Sequence, residues 1–399
     1  MNNHSEESKT YLFAVHHLGF RPFFLLAGVF ALFSMLLWMW LYQGNHSLPQ
    51  TQVLANSIWH AHEMIYGYSV AVIAGFLLTA VRNWTGVQTL HGVPLMVLAL
   101  IWLLARVMPL INHPDALYLM AAFDLLFNLA LSACVLYPII KVKQWSQMGV
   151  WSKVLLLFVA NGLFYLGLFG QIDQGIQWGL YTGLYLIIST ILMMARRVLP
   201  FFIEKGVDES ITLINHRWVD ISSLILMLLF VIVEVFLPLP TFSAVIALLL
   251  FLVHVIRLVG WYTPGIWRKP LLWILYLAYS WVVLGFALKG ITIFIAVNPM
   301  LAVHAFAVGG VGLITLGMMS RVALGHTGRD VFNPPSILTA IFLILMLGSL
   351  VRVLLPMLAP GMYQYWIGIS QVCWIISFAM FTWLYTPILL KPRVDGSYG

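Results

Sequence analysis

"SIWHAHEMIYGYSVAVIAGFLLTAVRNWTG", Ser57 to Gly86, places His60, His62 and Glu63 within four positions and then turns almost wholly apolar as far as Arg82. An apolar run of about 20 residues crosses the hydrocarbon core of a bilayer as a helix, because a rise of 1.5 Å per residue covers about 30 Å. The stretch therefore reads as a transmembrane helix with its most polar side chains at one mouth.

The rest of the chain agrees. Of its 399 residues, 62% are hydrophobic and 8% are charged, and the mean hydropathy is +0.97. Soluble domains carry about 25% charged residues, so a water-covered surface is excluded. The apolar runs and their interruptions give about twelve spans, at roughly 22–42, 60–81, 94–112, 116–140, 152–170, 176–195, 218–237, 241–259, 271–296, 299–320, 336–356 and 362–388. The longest polar connection, Arg196 to Arg217, reads as mostly loop. The expected architecture is an all-α integral membrane protein, a single polytopic membrane domain over 1–399 with a short segment 1–20 and a tail 389–399 on the cytoplasmic side.

Orientation follows from charge. Basic residues favour cytoplasmic loops. With the N-terminus inside, 17 of the 20 Lys and Arg residues, from Lys9 to Arg393, fall on the inner side, and only Arg106, Lys289 and Arg352 fall outside. One missed or invented helix would scramble this division, so an N-in/C-in topology is expected. The net charge of +7 is then an inner-leaflet anchor, with no nucleic-acid partner implied. The opening "MNNHSEESKT" is polar and acidic, unlike the basic head of a signal peptide. Cys134 and Cys373 lie in apolar runs and read as packing residues.

Three spans end alike, in "FLLTAVRNWTG", "LMMARRVLPFF" and "LGMMSRVALGH". Their spacing of four helices suggests three pseudo-repeats of four, although apolar-then-Arg is also what the charge rule alone would produce. If the repeat holds, His60 and His62 open the second span where His304 opens the tenth, both near the periplasmic side. His46 and His113 lie in neighbouring outer loops. Residues two apart point about 200° apart on an ideal helix, so His60 and His62 serve two neighbouring centres, or one acts as ligand and the other supports it. His60 and Glu63 share one face; Tyr66 and Ser69 share that of His62. Neutral imidazole is the common protein ligand of haem iron and copper, and ionisable groups are costly to keep within a membrane. His60, His62 and His304 are thus candidate ligands of a metal, with Glu63 and Tyr66 in support. An interfacial histidine bonding headgroups or water is the bland alternative. Asp124, near mid-membrane, is a candidate proton relay or an interhelical hydrogen bond. At the inner face Arg321, His326 and Arg329 could hold haem propionates, a phosphate or anionic lipid.

Three motifs are familiar as words: "LGFRPFFLLAGVFAL" (Leu18 to Leu32), "WHAHEMIYGYSVAVIAGFLLTAVRNWTG" (Trp59 to Gly86) and "HAFAVGGVGLITLGMMSRVALGHTGR" (His304 to Arg329). Together with the twelve spans they resemble the NnrS family along essentially the whole chain. Arg82 departs from the pattern, standing where the family's motif carries a proline. The resemblance implies a bacterial inner-membrane protein that holds haem, of b-type, and copper, and that acts in relief of nitric oxide and nitrosative stress. The matching positions are Arg21, His60, His62, Glu63, His304, Arg321, His326 and Arg329. The outline is distantly similar to the haem-copper oxidases. However, their six intramembrane histidines are not matched, since only His60, His62, His254 and His304 qualify.

Three functions fit these features. One is a haem/copper protein that binds or turns over nitric oxide with electrons from an unidentified donor. Another is a transporter of copper or a small solute using Asp124, and the third is a non-catalytic sensor or assembly factor.

Overall fold

In hydrocarbon no water satisfies backbone N–H and C=O groups, so a spanning chain must bond them within itself, as helices do. A computed structural model, which describes residues 13–399, shows this solution throughout; Lys9 and the opening segment lie outside the described residues. Twelve helices are long and apolar enough to cross a membrane: α1 Phe20–Gln43, α2 Asn56–Thr85, α3 Gly92–Leu110, α4 Ala116–Lys141, α5 Trp145–Leu168, α6 Gly175–Gly206, α7 Arg217–Phe236, α8 Pro240–Trp261, α9 Pro270–Ile293, α10 Pro299–His326, α11 Ile337–Leu358 and α12 Pro360–Leu390. The described residues form no strand. The chain is a multi-pass membrane protein.

The sequence boundaries hold to within about four residues except at three helix ends at the same side of the bundle, the third being α10, which runs to His326 and not 320. α5 begins at Trp145, not 152. α6 runs to Gly206, so half of the supposed loop after Arg196 is helix, with Pro200 inside it. Charge marks where a helix leaves the bilayer, not where it stops. Arg196 pairs with Asp220 at 2.8 Å, and Arg197 lies 4.3 Å over the Trp84 ring and donates to Gln147 Oε1 at 2.7 Å. α2 likewise continues through Arg82 to Thr85 and ends at Gly86, whose φ of 69° suits a residue without Cβ.

The interior is built mainly from α2, α9 and α10, the α9 window being 72% buried. α2 and α10 are the most enclosed, 78% of each apolar window being buried against 28% for α7. They touch one another and both touch α6, while α1 packs along α12 and closes the ring. α2, α6 and α10 are the second spans of the three proposed four-helix units, so the sequence repeat has a spatial counterpart. Small residues let them approach. The Gly179 carbonyl accepts a hydrogen bond from Tyr66 Oη at 2.6 Å, and a Cβ on Gly179 would sit 2.6 Å from the Phe164 backbone nitrogen.

Both α2 and α10 contain a π-helical segment, Glu63–Ser69 and Ala305–Gly312. Such widened turns are rare and concentrate at functional sites. Each begins just after a candidate histidine, and nothing in residue periodicity separates a π turn from an α turn.

Gly179→Ala is expected to lower the melting temperature of the detergent-purified protein, consistent with an overpacking cost of about 1–3 kcal/mol. Gly162→Ala on the adjoining helix, where a Cβ meets nothing within 4 Å, should leave it unchanged. Equal melting of the two variants would refute the close-approach reading.

Candidate functional site

The 200° between His60 and His62 is realised. His62 points toward α4 and α5, and His60 toward α1 and the outer end of α10.

The His62 side is a buried polar cluster drawn from four helices. The Arg106 guanidinium on α3 donates to Glu63 Oε2 at 2.7 Å and also to Asp124 Oδ1. Asp124 Oδ2 accepts from Asn161 Nδ2 at 2.8 Å and from Tyr165 Oη at 3.0 Å. Because the Asn161 amide nitrogen is committed to Asp124, its Oδ1 faces His62 Nε2, 3.0 Å away. His62 Nδ1 lies 3.2 Å from Glu63 Oε1. His62, Glu63, Asp124 and Asn161 are wholly buried. Both nitrogens of His62 thus lie within hydrogen-bond distance of buried oxygens, so neighbouring side chains engage the ring from both sides. Tyr66 lies beside His62 at 5.0 Å between rings, as their shared face requires. Glu63, expected on the face of His60, belongs instead to this cluster, since the widened turn starts at that residue.

The His60 side is different in kind. The imidazole stacks flat on Trp38, with centroids 4.5 Å apart and planes 4° apart, and its Nδ1 is buried without a partner. His304 donates from Nδ1 to the Met300 carbonyl at 2.7 Å, and its Nε2 accepts from Arg352 Nη2 at 3.1 Å. Both imidazoles lie within electrostatic reach of Arg352, and His304 within reach of His60. The structure therefore places His60 and His304 within electrostatic reach of one another and turns His62 toward another helix face. His46 stacks on Trp40 and His113 is exposed in its loop, so neither joins them.

Arg106 and Arg352 were visible in the sequence only as exceptions to the charge rule. The third exception, Lys289, bonds Glu234 at 2.5 Å; Glu234 also accepts from Ser243 on α8 and from Tyr185 on α6. Arg352 reaches Tyr363 on α12 at 3.3 Å. Each four-helix unit thus has the same node: a charged residue near the outer end of its third span, bonded to the second and fourth spans. The residues concerned stand in "ARVMP", "VEVFLP" and "VRVLLP", around Arg106, Glu234 and Arg352. That short repeat was the available signal.

At the opposite end of the bundle Arg21, His326 and Arg329 lie within electrostatic reach of one another or of a shared neighbour, while Arg321 turns toward α6. Arg21 donates through Nη1 to the carbonyls of Leu389 at 2.8 Å and Lys391 at 2.7 Å, capping α12. Arg321 lies 4.1 Å over the Phe202 ring. His326 packs 5.6 Å from the Phe20 ring, and Arg329 occupies the loop beyond. An apolar cleft opens between α1, α2, α6 and α10, lined by Phe24, Val72, Phe76, Met194 and Met318. Val72 lies twelve residues beyond His60, about 18 Å along the helix, so cleft and histidines are separate features.

Among the described residues no three His, Cys, Asp or Glu side chains are arranged to hold a metal ion. Two imidazoles suit a metal that brings its own equatorial ligands, as haem does, or a two-coordinate cuprous ion. His60, with a nitrogen unpartnered, fits either group; His304 fits once Arg352 releases its Nε2, and both nitrogens of His62 are engaged by buried oxygens.

A family model described as "NnrS protein" matches residues 14–393. No curated protein matches the chain.

Removing Arg106 would leave two buried carboxylates facing each other. Arg106→Met is expected to destabilise by about 3–5 kcal/mol, the cost typical of breaking a buried ion pair, and Asp124→Asn by clearly less. Thermal unfolding in detergent would check the order, and a harmless Arg106→Met would contradict the cluster. Outside the spans, burial pushes the His17 imidazole down to about 4 from 6.5, with the His16 and Arg21 charges adding to the effect. Between those values the unfolded chain takes up a proton that the folded chain refuses, so stability falls as pH falls through that window. His17→Gln should flatten the dependence of melting temperature on pH there, and an unchanged slope would dismiss it.

Proposed function

The chain belongs to the NnrS family, and from that premise we propose that it is a haem- and copper-type protein of the bacterial inner membrane, oriented N-in/C-in. In this reading it binds or turns over nitric oxide at a centre near the periplasmic side and so relieves nitrosative stress. The observation that supports this best is the pairing of His60 and His304. Two histidines from separate helices, each within three residues of the start of a π turn, lie within electrostatic reach of one another, and one has a buried nitrogen without a partner.

In this reading His60, with its unpartnered nitrogen, would hold the metal group beside His304, and that group would supply the chemistry for binding a small uncharged gas. Arg352 orients His304 and Tyr363 anchors Arg352. Trp38 fixes the plane of the His60 ring. The cluster of His62, Glu63, Arg106 and Asp124 sets the position of the α2 mouth, because each member ties that mouth to α3, α4 or α5. Nitric oxide is uncharged and reaches such a site through lipid, so no polar channel is required. Asp124 is held by Arg106, Asn161 and Tyr165 together. That argues for anchoring over the alternating contacts a transporter would ask of it.

An optical spectrum of the reduced, detergent-purified protein with and without nitric oxide, alongside iron and copper content, tests the proposal. A haem band that shifts with the gas is expected, and His60→Ala and His304→Ala should each abolish or displace it. His62→Ala should retain it while melting earlier. Protein free of both metals after expression with haem and copper supplied would overturn the reading.

A further inference from the structure

The inner end of the bundle gathers positive charge, and among the described residues several of its arginines have no ion-pair partner. Arg21 from α1, Arg82 from α2 and Arg393 after α12 all lie within electrostatic reach of His326 at the end of α10, and Arg329 lies within reach of Arg21. Of the nearby carboxylates, Asp395 is engaged by Arg393, through Nε at 2.9 Å and Nη2 at 2.5 Å. Those bonds hold its carboxyl below the usual range. Asp330 turns back on its own loop, accepting from Asn333 Nδ2 at 2.8 Å and the Phe332 backbone N–H at 2.7 Å. Among the described residues, no carboxylate pairs with Arg21, Arg82 or Arg329.

Two of these guanidiniums have unused donors in buried positions. Arg21 is completely buried; its Nη1 serves the end of α12, but Nε and Nη2 have no acceptor, and Nη1 of Arg329 has none either. A buried cationic N–H without an acceptor is unfavourable, and a native fold retains one where an acceptor arrives from outside. The C-terminal tail walls the place. Arg393 Nη1 donates to the His326 carbonyl at 2.9 Å, Tyr398 stacks on His17 at 4.5 Å, and the Arg82 guanidinium lies 5.9 Å from the Tyr398 ring.

We propose that Arg21 and Arg329, with Arg82 beside them, form a binding site for a phosphate group at the inner end of the bundle, between α1, the loop after α10 and the C-terminal tail. Guanidinium forks pair with phosphate oxygens two at a time. Three cations without counter-ions match the greater charge and additional oxygen of a phosphate better than a carboxylate. This site is remote from His60 and His304 and stands whether or not those residues hold a metal. The same chemistry is offered by the phosphodiester of an anionic lipid and by free phosphate.

The test uses the full chain in lipid nanodiscs, following melting temperature. Inorganic phosphate is titrated against chloride at matched ionic strength in discs of phosphatidylcholine. In a second arm phosphatidylglycerol replaces part of the lipid with no phosphate added. A rise in either arm beyond that with chloride or phosphatidylcholine is expected, and the arm that responds names the source. Arg329→Gln should weaken the response by about tenfold, the loss expected of one charge-assisted hydrogen bond. Arg268→Gln, an exposed arginine at the same end, should leave it intact. A response matched by chloride or by acetate, or retained in full by Arg329→Gln when that variant melts normally without ligand, would overturn the proposal.

Discussion

Arg106 sits in the outer half of the bundle between two carboxylates on different helices, Glu63 of α2 and Asp124 of α4. A guanidinium in hydrocarbon is tolerable only when its charge and most of its donors are met, and so is each carboxylate. The three groups therefore fix one another, and Asn161, Tyr165 and His62 meet the remaining carboxylate oxygens, while the buried Arg106 Nε has no acceptor. This constraint ties α2, α3, α4 and α5 at one depth. It also decides which way the mouth of α2 faces, and so where His60 points.

The same device recurs around the bundle with different chemistry. In the second unit the node is acidic, Glu234, and its counter-ion Lys289 is borrowed from α9 of the third. In the third it is Arg352, whose partner is the uncharged ring of His304. The three nodes share a place in the fold but not a charge state. The first and second are closed ion-paired clusters, with every carboxylate answered. The third leaves a cation beside two imidazoles, one of which has a buried nitrogen unsatisfied, and that asymmetry is what a ligand site needs.

Much of this was legible in the chain. The twelve spans follow from composition and run length, because the bilayer leaves helices as the only route through. His60, His62 and His304 were distinguishable as costly residues in apolar runs, and Asp124 likewise. Arg106 and Arg352 were legible only as violations of the charge rule, and a basic residue on the wrong side of a membrane is evidence of a buried partner. The reach of α6 to Gly206 was not legible, since charged side chains end a span without ending a helix. Arg21, matched by family resemblance as a site residue, caps α12 through carbonyls some 370 positions away in the chain, a contact that no local pattern encodes.

The sequence by itself determined a twelve-span helical membrane protein of this family and the depth at which its polar residues lie. Hydropathy and length act locally, along one helix at a time, and need no knowledge of neighbours. Only the tertiary structure decided that His62 is bound into an ion-paired cluster while His60 stacks on Trp38 within electrostatic reach of His304. That choice depends on π turns and on donors from α3, α5 and α11. Whether an imidazole keeps a free lone pair is set by what packs against it, not by where it falls in the chain.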